Sequence, residues 1–281
     1  MLDHPDIEGI CFVGSTPVAK DVIYPRCGAT GKRVIAQGGA KNFALIMPDA
    51  NLPRSMAACM TSFYGNTGQR CLANANLVVG EGLTEAEHAS LTERVTEAFC
   101  EAARNITIGN GLDEAVQMGP LRDPEKKESV LAHIEGALAE GAELLVDGRE
   151  FNLQGDLPRD AFLGPTVLGA VTPEMRIAQE EVFGPVGAVM MAKTLDEAIA
   201  MIHANPFGNA ASIFTDSGAW ARKFRYEVQC GNIGINVGIA APMAFFPFSG
   251  MKDSFFGDLH GQGEDAIRFF TESKIVIERW F

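Results

Sequence analysis

The stretch Gly9-Ile10-Cys11-Phe12-Val13-Gly14-Ser15-Thr16-Pro17 decides the fold class. A short apolar run ends at a glycine, two hydroxyl residues follow, and then a proline. That order reads as a strand, a tight turn and a helix start. Ser15 or Thr16 sits at the cap, and Pro17 lies near the first helical position, where its missing N–H is no loss.

The same alternation continues outward. Apolar runs at 32–36, 43–47 and 77–79 read as strands, and the Ala- and Met-rich segment 52–64 as a helix. Residues 84–104 form a long amphipathic pattern in which Thr84 and Glu87 make a capping-box signature. A helix at 125–140, closed by Gly141, leads to a strand at 143–146 and a polar surface loop at 148–160. Strands at 166–168 and 187–191, a helix at 195–203, a strand at 211–214, a helix at 218–227 and a strand at 231–236 follow. A β-branched strand at 274–279 ends the chain. Strands alternating with helices predict an α/β fold with largely parallel sheets.

Composition excludes some functions. A net charge of −13 argues against nucleic acid, because phosphate contacts need clustered Lys and Arg. The same charge disfavours anionic membrane surfaces. An anionic ligand would have to bind through a local basic group or through backbone amides. No apolar run approaches the roughly 20 residues that span a bilayer, and the N-terminus lacks the pattern of a secretory signal. A cytoplasmic location is expected. The six cysteines show no CxxC pair and the five histidines no ligand spacing, so no metal site is expected.

Cys71 is the sharpest candidate for chemistry. It follows the break Gly65-Asn66-Thr67-Gly68 at a helix-to-strand junction and is preceded by Arg70. A guanidinium beside a thiol favours the thiolate, the nucleophilic form. The alternative is a packed core cysteine, the usual fate of a reduced intracellular thiol.

Six motifs occur here in one order. They are Gly14-Ser15-Thr16, Gln37-Gly38-Gly39-Ala40-Lys41-Asn42, Gly68-Gln69-Arg70-Cys71, Glu180-Glu181-Val182-Phe183-Gly184-Pro185, the stretch at 205–211, and Phe248-Ser249-Gly250 with Lys252. Together they resemble the aldehyde dehydrogenase family over essentially the whole chain. The Gly-Gln-Arg-Cys motif and the tail at 246–260 resemble its methylmalonate/malonate-semialdehyde dehydrogenase branch, which is CoA-acylating.

The resemblance implies specific roles. Cys71 would be the nucleophile. Aligning Lys41 with the family's lysine puts Gln37 where hydrolytic members carry a general-base glutamate. An amide cannot take a proton, so coenzyme A rather than water would accept the acyl group; otherwise Gln37 is only a turn residue. Arg70 would hold the substrate carboxylate by a bidentate, charge-assisted bond. For the NAD cofactor, Ser15 would meet the pyrophosphate at a helix N-terminus. Gly38 would face the nicotinamide through its backbone, Glu181 would bind the nicotinamide ribose, and Phe183 would lie beside the ring. Ala19 stands where the family's turn usually has a glycine, a small-for-small change.

The expected layout is a remnant of the NAD-binding domain at 1–36 and a catalytic domain at 37–236. A tail at 237–281 would return to the cofactor domain and end in an oligomerisation strand, giving a homo-oligomer, dimer or tetramer. Family members are longer. The resemblance implies that most of the dinucleotide sheet and the oxyanion-hole asparagine lie outside this chain, so the chain alone is expected to be inactive or nearly so. Two other readings remain open: a hydrolytic aldehyde dehydrogenase and a catalytically dead fragment.

Overall fold

The computed structural model describes residues 1–80 and 84–281. The opening motif folds as strand, turn and helical coil, but among the described residues neither Ser15 nor Thr16 caps the coil with its side chain; the Thr16 hydroxyl is spent on Asp253 and Gly39. Strand β1 (Gly9–Val13) lies parallel to β2 (Arg33–Gln37), with Val13 opposite Gln37. Between them the chain coils through a π-type turn, Val18–Ile23, into helix α1 (Tyr24–Ala29). Pro25 lacks the N–H that an α-helical bond to Asp21 would need, and the widened turn before it absorbs that loss.

The chain then runs through β3 (Asn42–Ile46), α2 (Leu52–Phe63), β4 (Asn74–Val79), α3 (Glu85–Arg104) and α4 (Pro124–Ala139). Next come β5 (Glu143–Val146), β6 (Thr166–Gly169), the short α5 (Arg176–Gln179), β7 (Val186–Met191) and α6 (Leu195–Ala204). The rest is β8 (Phe207–Gly208), β9 (Ala210–Phe214), α7 (Gly218–Glu227), β10 (Asn232–Ile235), β11 (Met251–Lys252), β12 (Phe255–Gly257) and α8 (Gly263–Phe269).

Among the described residues, seven strands form the main sheet in the order β10-β9-β3-β4-β7-β6-β5. Its pairs are parallel except β5 with β6. Strand alternation sends side chains to opposite faces. Ala44 and Ile46 of β3 join Met56, Cys59 and Phe63 of α2 and Val95 and Phe99 of α3 on one side. Phe43 and Leu45 join Val130 and Ile134 of α4, Ile199 of α6 and Phe224 of α7 on the other. Each buried Val, Leu, Ile, Phe or Met among these is worth about 1.5–3 kcal/mol relative to exposure, so both helical layers are needed to cover a sheet this apolar.

Helix starts follow local chemistry. Asn51, Thr84, Asp123 and Thr194 each accept a hydrogen bond from the backbone N–H three residues on. The Thr84 hydroxyl also meets the Glu87 carboxylate at 3.1 Å.

A second sheet in the order β1-β2-β12 stands beside the first. Its third strand comes from the tail: β12 pairs antiparallel with β2, placing Phe255 opposite Gln37. The strand expected at 274–279 forms no ladder among the described residues. Ile275, Ile277 and Trp280 are exposed, and β propensity without an adjacent edge does not make a strand.

Candidate active site

The amino ends of three adjacent parallel strands meet at the seam between the two sheets. Asn42 opens β3, Asn74 opens β4 and Ala210 opens β9. Cys71 lies just before β4, half-buried. The turn that delivers it passes through left-handed backbone at Asn66, Thr67 and Gly68. The Asn66 amide holds the Gln69 carbonyl at 2.9 Å, and the Thr67 hydroxyl donates to the Gly119 carbonyl at 2.9 Å. Gly68 is required there: its φ is +67°, and a Cβ would collide with the Gly184 carbonyl. This close approach brings the thiol loop against the Glu180–Pro185 segment.

The Gln37-to-Lys41 turn forms the opposite wall. Gly38 donates to the Ser254 carbonyl at 3.0 Å, and Gly39 donates to the Thr16 hydroxyl at 2.8 Å. A Cβ at Gly38 would come within 2.6 Å of both the Asp253 carbonyl and Thr16 Oγ1. The Thr16 hydroxyl donates in turn to the Asp253 carbonyl at 3.0 Å. Buried Ser254 closes the knot, donating to the Gly39 carbonyl at 2.8 Å and accepting from the Gly208 N–H at 3.2 Å. Lys252, at φ 55°, turns its ammonium onto the last carbonyls of α6, 2.9 Å from Ile202 O and 2.7 Å from Asn205 O.

Glu181 reaches into this wall and accepts the Ala40 N–H at 3.0 Å. Burial raises its pKa; the Ala40 N–H, Lys126 and Lys41 pull the other way. Lys126 Nζ donates to the Val182 carbonyl at 2.8 Å, fixing the peptide beside Glu181. Lys41 is 3% exposed, and its Nζ has no hydrogen-bond partner among the described residues. Desolvation lowers its pKa to about 7 against the opposing pull of Glu181 and Glu180. Phe183 adopts a left-handed φ of 51° and stays 39% exposed, a costly conformation for a bulky residue that leaves its ring free.

Around the sulfur of Cys71, burial raises the pKa first and the Glu181 charge adds to it; the backbone amides of Cys71 and Leu72 oppose both. The neighbouring guanidinium does not help. Arg70 Nη1 turns back to the Thr61 carbonyl at 3.3 Å, so the thiolate argument made from its position in sequence fails.

The structure brings Cys71, Gly38 and Glu181 to one seam. Ser15 is exposed at the start of its helix and contributes its carbonyl to Ala19; the structural hydroxyl is that of Thr16. Gln37 ends β2 with its amide donating to the Phe248 carbonyl at 3.1 Å. Sequence reasoning missed Asn42 and Asn209. Asn42 Nδ2 donates to the carbonyls of Cys71 and Ala73, each at 2.8 Å, and Asn209 Nδ2 donates to the Cys71 carbonyl at 2.6 Å. Both lie within motifs already noticed, but their partners lie 29 and 138 residues away along the chain, beyond the reach of a local pattern.

The aldehyde dehydrogenase family model matches residues 1–276. Malonate-semialdehyde dehydrogenase of Halalkalibacterium halodurans is 44% identical over 281 residues, covering 100% of this chain and 55% of that protein. An NAD complex of a Sinorhizobium meliloti protein assigned as a methylmalonate-semialdehyde dehydrogenase superposes with a TM-score of 0.93 at 37% identity. It covers 99% of this chain and 55% of that one. Methylmalonate-semialdehyde dehydrogenase of Oceanimonas doudoroffii does so with a TM-score of 0.89, at the same identity and coverage. The chain thus spans about half the length of the relatives it matches. By its ordered motifs, its paired sheets and this match along nearly its whole length, the chain belongs to the aldehyde dehydrogenase family.

Proposed function

We propose that this chain carries the thiol-bearing part of an NAD-dependent, CoA-acylating oxidation of malonate or methylmalonate semialdehyde. Cys71 adds through Sγ to the aldehyde carbon, giving a thiohemiacetal. A bound NAD would supply the hydride acceptor, so that loss of hydride from that carbon leaves a thioester on Cys71. The thiol of coenzyme A then attacks the thioester carbon and releases the Cys71 thiol. The substrate carboxylate departs as carbon dioxide; the bonding pair it leaves on the neighbouring carbon takes up a proton, balanced by the one the CoA thiol gives up, so the products are acetyl-CoA or propionyl-CoA.

The site residues suit that cofactor. The Gly38 backbone presents a surface without a side chain, Glu181 offers a carboxylate to a ribose, and Phe183 leaves its ring open. Ser15 sits where a helix start favours a pyrophosphate. Arg70 is the adjacent cation for the substrate carboxylate, which it would reach by leaving the Thr61 carbonyl. The family's oligomers suggest a dimer or tetramer, with 274–279 as the added strand.

One observation carries the choice of CoA over water. The side chain at the family's general-base position is an amide already committed to the Phe248 carbonyl, so it neither takes a proton nor swings freely. The test runs the last step backwards. Excess acetyl-CoA should transfer its acyl group to Cys71, found by peptide mass on Cys71 and absent in Cys71→Ala. Failure of that transfer in the unaltered chain would overturn the reading, as would steady hydrolysis of acetyl-CoA with no acyl group held on Cys71.

A further inference from the structure

The carbonyl of Cys71 accepts two side-chain amides, Asn42 Nδ2 at 2.8 Å and Asn209 Nδ2 at 2.6 Å. A carbonyl oxygen has two lone pairs, and here both are used. The donors come from the starts of two neighbouring strands, β3 and β9, and are themselves held. Asn42 Oδ1 accepts the Ala210 N–H at 3.0 Å, and its amide also donates to the Ala73 carbonyl at 2.8 Å. The backbone carbonyl of Asn209 accepts the Asn232 amide at 3.0 Å, and that amide also reaches the Ser249 carbonyl at 2.8 Å. Asn42, Asn209 and Asn232 are all buried. A shift in the β3–β4 register between Asn42 and Phe43 frees Asn42 for this work.

The Cys71 carbonyl and the Leu72 N–H belong to one planar peptide unit and point in opposite directions. Fixing the carbonyl therefore fixes the direction of the N–H, and the Leu72 N–H is, after the Cys71 N–H, the second backbone donor that favours the Cys71 thiolate. Two hydrogen bonds to the carbonyl also polarise the peptide and strengthen its N–H as a donor. We propose that Asn42 and Asn209 are positioning residues that aim and polarise the Leu72 N–H at the Cys71 sulfur, stabilising negative charge there. The device supplies by dipole what the sequence suggested Arg70 would supply by charge.

Other charged groups near the sulfur act differently. Glu181 opposes the thiolate. Lys41 and Lys126 act on Glu181, and Arg70 is turned to Thr61. None of them would be altered by removing an amide from the Cys71 carbonyl.

The inference rests on Cys71 as the nucleophile but not on the acyl acceptor, and its test uses neither NAD nor CoA. Iodoacetamide labelling of the intact chain, resolved by peptide over a range of pH, gives the Cys71 titration midpoint. Asn209→Leu should raise that midpoint by about half to one pH unit, the size expected for losing one ordinary hydrogen bond. Asn209→Gln, which keeps a donor, should recover part of the shift. Protection of buried Cys59 reports that the fold survives. An unchanged midpoint with Cys59 still protected would overturn the proposal.

A second readout needs no variant. Cys71-Leu72 is the single Cys-Leu pair in the chain, so carbonyl-13C cysteine with 15N leucine gives one resonance for this peptide. A carbonyl shift displaced downfield, as double hydrogen bonding requires, is expected. A shift in the range of a singly bonded or free carbonyl would overturn the proposal even if every variant unfolds. Failure here leaves acyl transfer to Cys71 untouched, whereas loss of acyl transfer with these readouts intact would count against the proposed activity alone.

Discussion

The side-chain amide of Gln37 donates to the carbonyl of Phe248 at 3.1 Å, joining the end of β2 to the returning tail. A carboxylate in that place would face a carbonyl oxygen with no proton to offer. Gln37→Glu is therefore expected to destabilise the chain at neutral pH by about 1–3 kcal/mol, the cost of an unsatisfied acceptor pair. The loss should shrink on acidification. The introduced carboxyl has a raised pKa in the folded state, because only its protonated form can donate to Phe248. Its stabilisation is present below the unfolded carboxyl pKa and lost as pH rises through the folded one. Urea unfolding of both chains at pH 4 and pH 7 measures the difference; a larger penalty at the lower pH would refute it.

Lys41 gives a second dependence on pH. Its folded pKa, about 7, lies below the ordinary lysine value, so between the two the unfolded chain binds more protons than the folded one. Folding stability contributed by this site must then rise as pH increases from about 7 towards 10. Relative to Lys41→Met, the unaltered chain should gain stability over that interval. Parallel stability curves would show that the amine is solvated or paired.

Removing the negative charge of Glu181 should ease ionisation of Cys71. Its carboxylate raises the thiol pKa, after burial, which is the larger cause. Glu181→Gln is expected to lower the pH midpoint of Cys71 alkylation, while the unaltered thiol titrates above the ordinary range. A midpoint that stays in place or rises would contradict the arrangement of the two groups.

Much of this was legible from the chain. The β3 and β4 strands are nearly continuous apolar runs, and such runs have few alternatives to a buried parallel sheet. Thr84 announced its helix because capping chemistry acts within four residues. Cys71 and Glu181 stand out in the sequence as candidates because their motifs are local. Asn209 was not, because its partner is 138 residues away and nothing nearby signals it. Capping chemistry leaves Ser15 and Thr16 equivalent in sequence, and the Thr16 hydroxyl goes instead to the Asp253 carbonyl of the tail, which no local pattern signals. Arg70 was misjudged as a support of the thiolate because adjacency in sequence does not set where a long side chain points. The segment at 274–279 has the composition of a strand, but pairing is a property of two edges.

Gly68 offers a test of the turn that presents the thiol. Gly68→Ala places a side chain at a φ of +67° and against the Gly184 carbonyl. A loss of about 3 kcal/mol or more is expected, together with loss of Cys71 acylation, from combined backbone strain and overpacking. Gly136→Ala in α4 is the control, with open space at its Cβ. It should be neutral or add up to about 1 kcal/mol. Equal effects of the two substitutions would show that the turn is not held as described.

The choice between thiol and water as acyl acceptor is tested most directly by the lifetime of the acyl group on Cys71. Brief treatment with p-nitrophenyl acetate should load the thiol, and peptide mass followed over time gives its rate of loss. The expected result is a persistent acyl group in buffer and rapid discharge when CoA is added, with acetyl-CoA as the product. Rapid discharge to acetate in buffer, unaffected by CoA, would contradict the proposed role of Cys71 and Gln37.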